Sequence, residues 1–134
     1  MSDAALLAGR VGLAALLLAF HGTTRLGRAA DYLAGREGWP FVELVAALGF
    51  PWPAGFAVVS AAAESIGAVL LASGAWTRLA AGAIAINMLV ATYNEVVKGD
   101  SLELPALYLA SAVMFVIAGG GRWSVDAMRR RRHD

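Results

Sequence analysis

A single acidic residue in the middle of a long apolar run constrains this chain more than any other feature. Residues 54–74 read AGFAVVSAAAESIGAVLLASG, and their one ionisable side chain is Glu64, ten residues from either end. As a helix this run is about 30 Å long, the thickness of the hydrocarbon core of a bilayer. A carboxylate at that depth costs about 2.5–3.5 kcal/mol on insertion scales. Glu64 must therefore face the protein interior, be paired or carry a proton.

Further apolar runs predict a helical bundle that crosses the membrane four times. The predicted spans cover residues 4–22, 54–74, 77–97 and 104–118. Hydrophobic residues make up 59% of the 134 residues and charged residues 16%, which is too apolar for an ordinary soluble domain. The run 4–22 lacks the basic start and the cleavage site of a signal peptide, so we interpret it as a membrane helix. The expected fold class is all-α, a single four-helix transmembrane domain over residues 1–134.

The connection between the first two spans has a different pattern. Charged residues alternate with apolar and aromatic ones over residues 23–50, which predicts two short amphipathic helices at the membrane interface. Trp39 and Trp52 are typical of the headgroup region. Pro51 and Pro53 end the connection and begin the second span, because proline is tolerated in the first turn of a helix.

The basic residues predict the orientation of the bundle. On one side of the predicted membrane lie Arg78, Arg122 and Arg129–Arg132. On the other side lie Arg25, Arg28, Arg36 and Lys98, spread over much longer loops. The positive-inside rule therefore places both termini in the cytoplasm, with residues 122–134 as a basic cytoplasmic tail. An arginine run can also bind nucleic acid, but beside a membrane span it indicates topology, and we expect no nucleic-acid partner.

Several polar residues are predicted to lie within the membrane. Glu64 and Asn87 fall near the middle of adjacent spans, close enough to hydrogen-bond. Arg10 lies in the first span and is the obvious partner for the carboxylate. However, side chains lean toward the N-terminus of their own helix, so in antiparallel helices these two head groups diverge. Whether Glu64 pairs with Arg10 or is protonated stays open.

His21, Tyr93 and Asn94 lie toward the outer side and, with Asn87 near the middle, form a candidate ligand-binding group. Each also has a structural interpretation, since asparagines join membrane helices by hydrogen bonds, and His21 and Tyr93 are typical of the interface. The chain has no cysteine, and its two histidines, His21 and His133, fall on opposite sides of the predicted membrane. A haem held by two histidines of this chain is thus excluded, and we expect no metal site.

Short motifs in a fixed order resemble the DoxX family of small four-helix membrane proteins. They are Arg10 with Gly12, Phe20-His21-Gly22 followed by Arg25, Leu48–Pro53, Glu64, Gly74–Arg78, and Gly119 with Gly121–Asp126. The resemblance implies structural roles for Arg10, Gly22, Pro51, Pro53, Arg78, Gly121, Ser124 and Asp126. The residues also predict that Ser124 is the N-cap of a short tail helix.

The resemblance implies a quinone-linked function in a bacterial-type plasma membrane. The first hypothesis is an accessory subunit of a quinone-linked oxidoreductase, in which Glu64 exchanges a proton with a quinol and partner subunits supply the redox centre. The second is a structural subunit of a larger membrane complex, in which the polar residues only fix helix register. The third is a small proton-coupled carrier that uses Glu64. Whether the chain is an enzyme stays open, and a quinone is the one cofactor that the resemblance suggests.

Overall fold

The computed structural model describes residues 2–132, so Met1, His133 and Asp134, the last two of them part of the predicted tail, lie outside the described residues. Throughout this range the secondary structure is helical, without a strand. The helices are α1 Asp3–Leu17, α2 Thr23–Leu33, α3 Pro40–Ala47, α4 Pro53–Ser73, α5 Thr77–Lys98, α6 Glu103–Ala118 and α7 Val125–Arg131. The all-helical prediction is confirmed.

The first predicted span continues much further than expected. A single π-helical turn, Leu18–Gly22, joins α1 to α2, and the result is one continuous helix of 31 residues, Asp3–Leu33. The prediction that a span ends at residue 22 and gives way to a separate interfacial helix is therefore wrong at this junction. No proline interrupts residues 3–33, and the hydroxyl of Thr23 donates to the Leu18 carbonyl across the wide turn at 3.3 Å. Both features let the helix continue.

Three of the described helices are long and apolar enough to cross a membrane: Asp3–Leu33, α4 and α5. Helix α6 is apolar but shorter, with 16 residues. The predicted spans over residues 54–74, 77–97 and 104–118 coincide with α4, α5 and α6 to within a residue at each end. Proline at the start of α4 and glycine in a left-handed conformation at its end explain its sharp boundaries, because Gly74 has φ 72°.

Helix α4 lies at the centre of the molecule. It packs against α1, α2, α3 and α5, while α5 also packs along α6. Small side chains permit the close approach: Ala57, Ala61 and Ala68 are fully buried, and a Cβ on Gly67 would lie 3.4 Å from Ile84. The packing brings Glu64 of α4 between two neighbouring helices rather than against lipid.

The connection after α2 forms a small core of its own against α4. Trp39 is buried and packs against Tyr32 and Phe41, whereas Trp52 is 69% exposed. The interpretation of both tryptophans as interface residues thus fails for Trp39. The indole of Trp39 is covered because α3 folds back over α2 and α4.

Candidate functional site

Glu64 is the centre of a polar cluster that joins three helices. Its Oε1 accepts hydrogen bonds from Arg25 Nη1 of α2 at 2.6 Å and from Asn87 Nδ2 of α5 at 2.6 Å. Asn87 in turn accepts a hydrogen bond from the hydroxyl of Ser60 at 2.6 Å. The contact predicted between Glu64 and Asn87 is therefore present. These bonds satisfy one oxygen of a carboxylate that is only 1% exposed.

The cation that pairs with Glu64 is Arg25, not Arg10. The sequence predicts that Arg25 lies in the interfacial connection outside the first span, because the apolar run ends at residue 22. With the helix continuous, Arg25 leans back along its own helix while Glu64 leans the opposite way, so the two head groups converge. The lean of side chains toward their helix N-termini thus separates Glu64 from Arg10 and brings it toward Arg25. The available signal is the absence of proline between the first span and Arg25, which lies four residues after His21.

A cavity of about 400 Å³ lies beside this cluster, between α3, α4 and α5. Its lining is mostly aliphatic and aromatic, and Arg25, Ser60 and Asn87 supply the polar part of the wall next to Glu64. The Arg25 guanidinium also lies 4.6 Å from the centre of the Phe41 ring. Glu64 itself does not line the cavity. Among the described residues its Oε2 has no hydrogen-bond partner, although the atom is buried.

The structure divides the four predicted ligand-binding residues. Asn87 and Asn94 line the cavity. Tyr93 lies in an adjoining apolar groove of about 440 Å³, which shares Leu48 and Phe50 with the cavity. His21 lies away from both: its ring meets that of Tyr108 edge to face, with 6.1 Å between centroids. His21 therefore lines neither space and packs toward α6, and its part in ligand binding stays a prediction.

A second polar cluster lies at the opposite end of the helices, around Asp126. One carboxylate oxygen accepts from the backbone amide of Trp76 at 2.7 Å, and the other from the amide and hydroxyl of Thr77, both at 2.8 Å. Burial alone would raise the pKa of Asp126, but the hydrogen bonds from Thr77 and Trp76 outweigh it and hold the pKa below its ordinary value. The acid thereby fixes the tail to the first turn of α5.

Arg10 belongs to this second cluster. Its guanidinium is buried, donates to the backbone carbonyl of Trp123 and lies against Gly74 and Ser124. A Cβ on Gly74 would overlap the guanidinium, and a Cβ on Gly120 would come within 2.6 Å of the Thr77 hydroxyl. The glycines of this region therefore make room for the arginine and the tail to pack closely.

The remaining residues of the predicted structural set lie at junctions between elements. Arg78 donates to the Ile117 carbonyl at the end of α6, and Ser124 caps α7 as predicted. The Ser65 hydroxyl donates to the Gly22 carbonyl at 2.7 Å, where the π-helical turn meets α4. Gly121 leaves space for Leu6 and Asp3, Pro53 begins α4, and Pro51 lies in the loop before it.

The chain matches the family model described as DoxX over residues 5–96. This region includes the Glu64 cluster and Arg10 but ends before α6 and the tail. No curated protein and no solved structure matches the chain. Within residues 2–132, no group of three His, Asp or Glu side chains lies together in a way that could hold a metal ion.

Proposed function

Because the chain belongs to the DoxX family of membrane proteins, whose model spans more than half of it, we propose that it is an accessory membrane subunit of a quinone-linked oxidoreductase. The observation that carries the proposal is the buried cluster of Glu64, Arg25 and Asn87 at the wall of an apolar cavity. The cluster places hydrogen-bonding groups where a hydrophobic ligand with a polar ring would need them.

The proposal includes a membrane arrangement. Helix α6 would be the fourth span, since it packs along α5, contacts α1 and is about 24 Å long. Both termini would lie in the cytoplasm of a bacterial-type cell, because the end of the bundle that carries α7 is rich in arginine. The cavity would then lie in the outer half of the plasma membrane.

The cavity suits a quinone in size and in lining. Its volume of about 400 Å³ is within the usual range of about 300–1,000 Å³ for small-molecule sites, which are mostly apolar with a few placed polar groups. Val59 and Ile86, on the lining, are 64% and 68% exposed, so the cavity borders the lipid-facing surface between α4 and α5. The adjoining groove with Tyr93 would hold an isoprenoid tail.

The residues around the cavity would have different roles in binding a quinone. Arg25 and Asn87 are the groups at the wall that would donate hydrogen bonds to ring oxygens, and Ser60 would orient Asn87. A bound quinone supplies two-electron, two-proton chemistry, with the electrons passing to a partner subunit. Glu64, just behind the wall, would hold a proton at Oε2, the oxygen without a partner among the described residues. Glu64 is therefore a positioning and proton-holding residue.

The alternative is a structural subunit, and one observation favours it. Glu64 does not line the cavity, and its Oε1 already joins α2 to α5 through Arg25 and Asn87. In that case the cluster fixes the register of the helices, as polar groups in membrane proteins often do. Loss of the cluster would then affect assembly and thermal stability alone.

Purification of the native complex in mild detergent, with mass spectrometry of extracted lipids and proteins, tests the proposal. We expect quinone to copurify with the wild-type chain and to fall about tenfold in Glu64→Gln, which corresponds to about 1.4 kcal/mol of binding free energy. Glu43→Gln is the matched control, because Glu43 is exposed on α3. A wild-type sample without quinone or a redox partner, or equal quinone in both variants, would contradict the function.

A further inference from the structure

A second cavity lies at the end of the bundle that carries the tail, far from Glu64. Its volume is about 580 Å³, and it lies between the first turn of α5, the glycine loop after α6, and α7. Four arginines contribute to its lining: Arg78, Arg122, Arg129 and Arg130. All four side chains are exposed. We call this cavity the tail groove.

The acidic side chains in the tail groove are already engaged. Asp126 accepts three hydrogen bonds from Trp76 and Thr77, and Asp3 accepts one from the backbone amide of Arg122 at 2.8 Å. The salt bridges between described residues, Arg25 with Glu64 and Arg36 with Asp31, include neither acid of the groove and none of its arginines. Among the described residues that line the groove, four positive charges therefore face two negative ones, and the guanidinium groups keep donors available.

Apolar side chains around the groove place it at a membrane surface. Trp76 and Leu79 line it and are 59% and 74% exposed, and Ile117 and Trp123 next to it are 73% and 60% exposed. Arg129 lies over the Trp76 ring, 5.7 Å from its centre. Exposed tryptophan beside arginine, at the start of an apolar helix, is typical of the headgroup level of a bilayer. A ligand in the tail groove would therefore contact arginine side chains and exposed apolar side chains at the same time.

We propose that the tail groove binds the phosphate headgroup of an anionic phospholipid, with its acyl chains along the exposed apolar residues of α5 and α6. Guanidinium groups match phosphate because they donate parallel hydrogen bonds to two of its oxygens. Basic sites between membrane helices recognise anionic headgroups in this way. The zwitterionic phosphatidylcholine carries a compensating cation and binds less tightly.

The proposal differs from the simple use of arginines as a topology signal. A topology signal depends on the number of basic residues near the membrane and makes no distinction among Arg129–Arg132. A headgroup site requires the two that line the groove, Arg129 and Arg130, and not Arg131 or Arg132, which do not line it. The tail thus provides a matched pair of double variants with equal charge.

The test titrates the purified full chain in detergent with phosphatidylglycerol and with phosphatidylcholine of the same acyl chains, and counts bound lipids by native mass spectrometry. We expect phosphatidylglycerol to bind more tightly, and the preference to fall about fivefold for each arginine removed, or about 25-fold in Arg129→Gln/Arg130→Gln. Arg131→Gln/Arg132→Gln should keep the preference within about twofold of the wild type. Helix content by circular dichroism verifies that all three chains are folded.

Three results would overturn the proposal. The first is equal affinity of the wild type for the two lipids. The second is an equal loss in both double variants, which would indicate a diffuse charge effect. The third is displacement of the lipid by inorganic phosphate at matched concentration, which would make the site one for a soluble anion. None of these outcomes depends on quinone binding at the other end of the bundle.

Discussion

The two polar clusters are built from the same kinds of residue but differ in how completely their acids are hydrogen-bonded. In the tail cluster it is the arginine that lacks partners among the described residues, at Nε and Nη1 of Arg10. At the tail end, both oxygens of Asp126 accept hydrogen bonds from the start of α5, and Arg10 lies in a space left by glycines. At the other end, Glu64 uses one oxygen for Arg25 and Asn87, while its second oxygen has no partner among the described residues and a cavity borders the cluster.

The difference distinguishes a structural contact, at Asp126, from a candidate binding site, at Glu64. A carboxylate whose two oxygens both accept hydrogen bonds from the first turn of a helix contributes stability and has little capacity left for a ligand. A carboxylate that is half satisfied, beside a cavity and paired with a partly exposed arginine, keeps capacity for chemistry. We therefore expect changes at Asp126 to act on folding alone, and changes in the Glu64 cluster to act on ligand binding as well as on folding.

Replacement of the tail acid should give the largest effect. Asp126→Ala removes the acceptor of three hydrogen bonds, and hydrogen bonds to charged groups contribute about 1.5–3 kcal/mol each. Because water replaces part of them, we expect a loss of about 3 kcal/mol, measured as a lower thermal unfolding midpoint in detergent. Quinone retained per folded chain should not change. A large loss of quinone at unchanged stability would reverse the comparison.

The ion pair of the Glu64 cluster should give the next largest effect. Arg25→Gln leaves the buried carboxylate without its cation, and we expect a loss of about 2 kcal/mol, less than for a fully buried pair because the Arg25 side chain is 30% exposed. The double variant Arg25→Gln/Glu64→Gln should recover at least half of that loss, since no charge stays buried. Thermal unfolding of the four chains of this cycle measures the coupling. Purely additive losses would mean that the pair has no energetic role.

The pH dependence of stability should give the smallest effect. Since the pKa of Asp126 lies below its ordinary value of 3.8, its carboxylate stabilises the folded chain fully above about pH 4, and the contribution is lost as pH falls further. We expect the thermal unfolding midpoint of the wild type to decrease as the pH is lowered beyond about 4. The midpoint of Asp126→Asn should decrease less over the same pH range. If the unfolding midpoints of the two chains changed in parallel with pH, the carboxylate of Asp126 would not contribute to stability through its hydrogen bonds.

Most of the helical framework follows from the sequence. The apolar runs predict α4, α5 and α6 to within a residue, because a glycine follows each of them and a proline lies in the first turn of α4 and of α6. The contact of Glu64 with Asn87 also follows, since both lie at mid-depth on helices joined by a tight loop. The N-cap at Ser124 depends only on local chemistry and can likewise be predicted from the sequence.

The sequence does not predict the cation that pairs with Glu64 or the full set of residues that line the cavity. A π-helical turn leaves little trace in a sequence, so the continuation of α1 into α2, and with it the position of Arg25, could not be predicted from hydropathy alone. The depth of a residue in the membrane predicts that His21 lies near the other pocket residues, but it does not give the direction of the side chain around the helix axis. The ring of His21 packs against Tyr108 instead. The Asp126 contacts join residues about fifty positions apart, beyond the reach of any local pattern.

The wide turn at Leu18–Gly22 lets the pairing of Arg25 tolerate a change of one residue in chain length. Such a turn holds one residue more than ordinary helix requires, and each residue of an α-helix rotates the chain by about 100°. Deleting a single position within the wide turn would remove the extra residue and restore ordinary α-helix, so the guanidinium of Arg25 would still face the acid. Relatives that lack this one residue are therefore expected to keep the same ion pair, with an ordinary helical turn in place of the wide one.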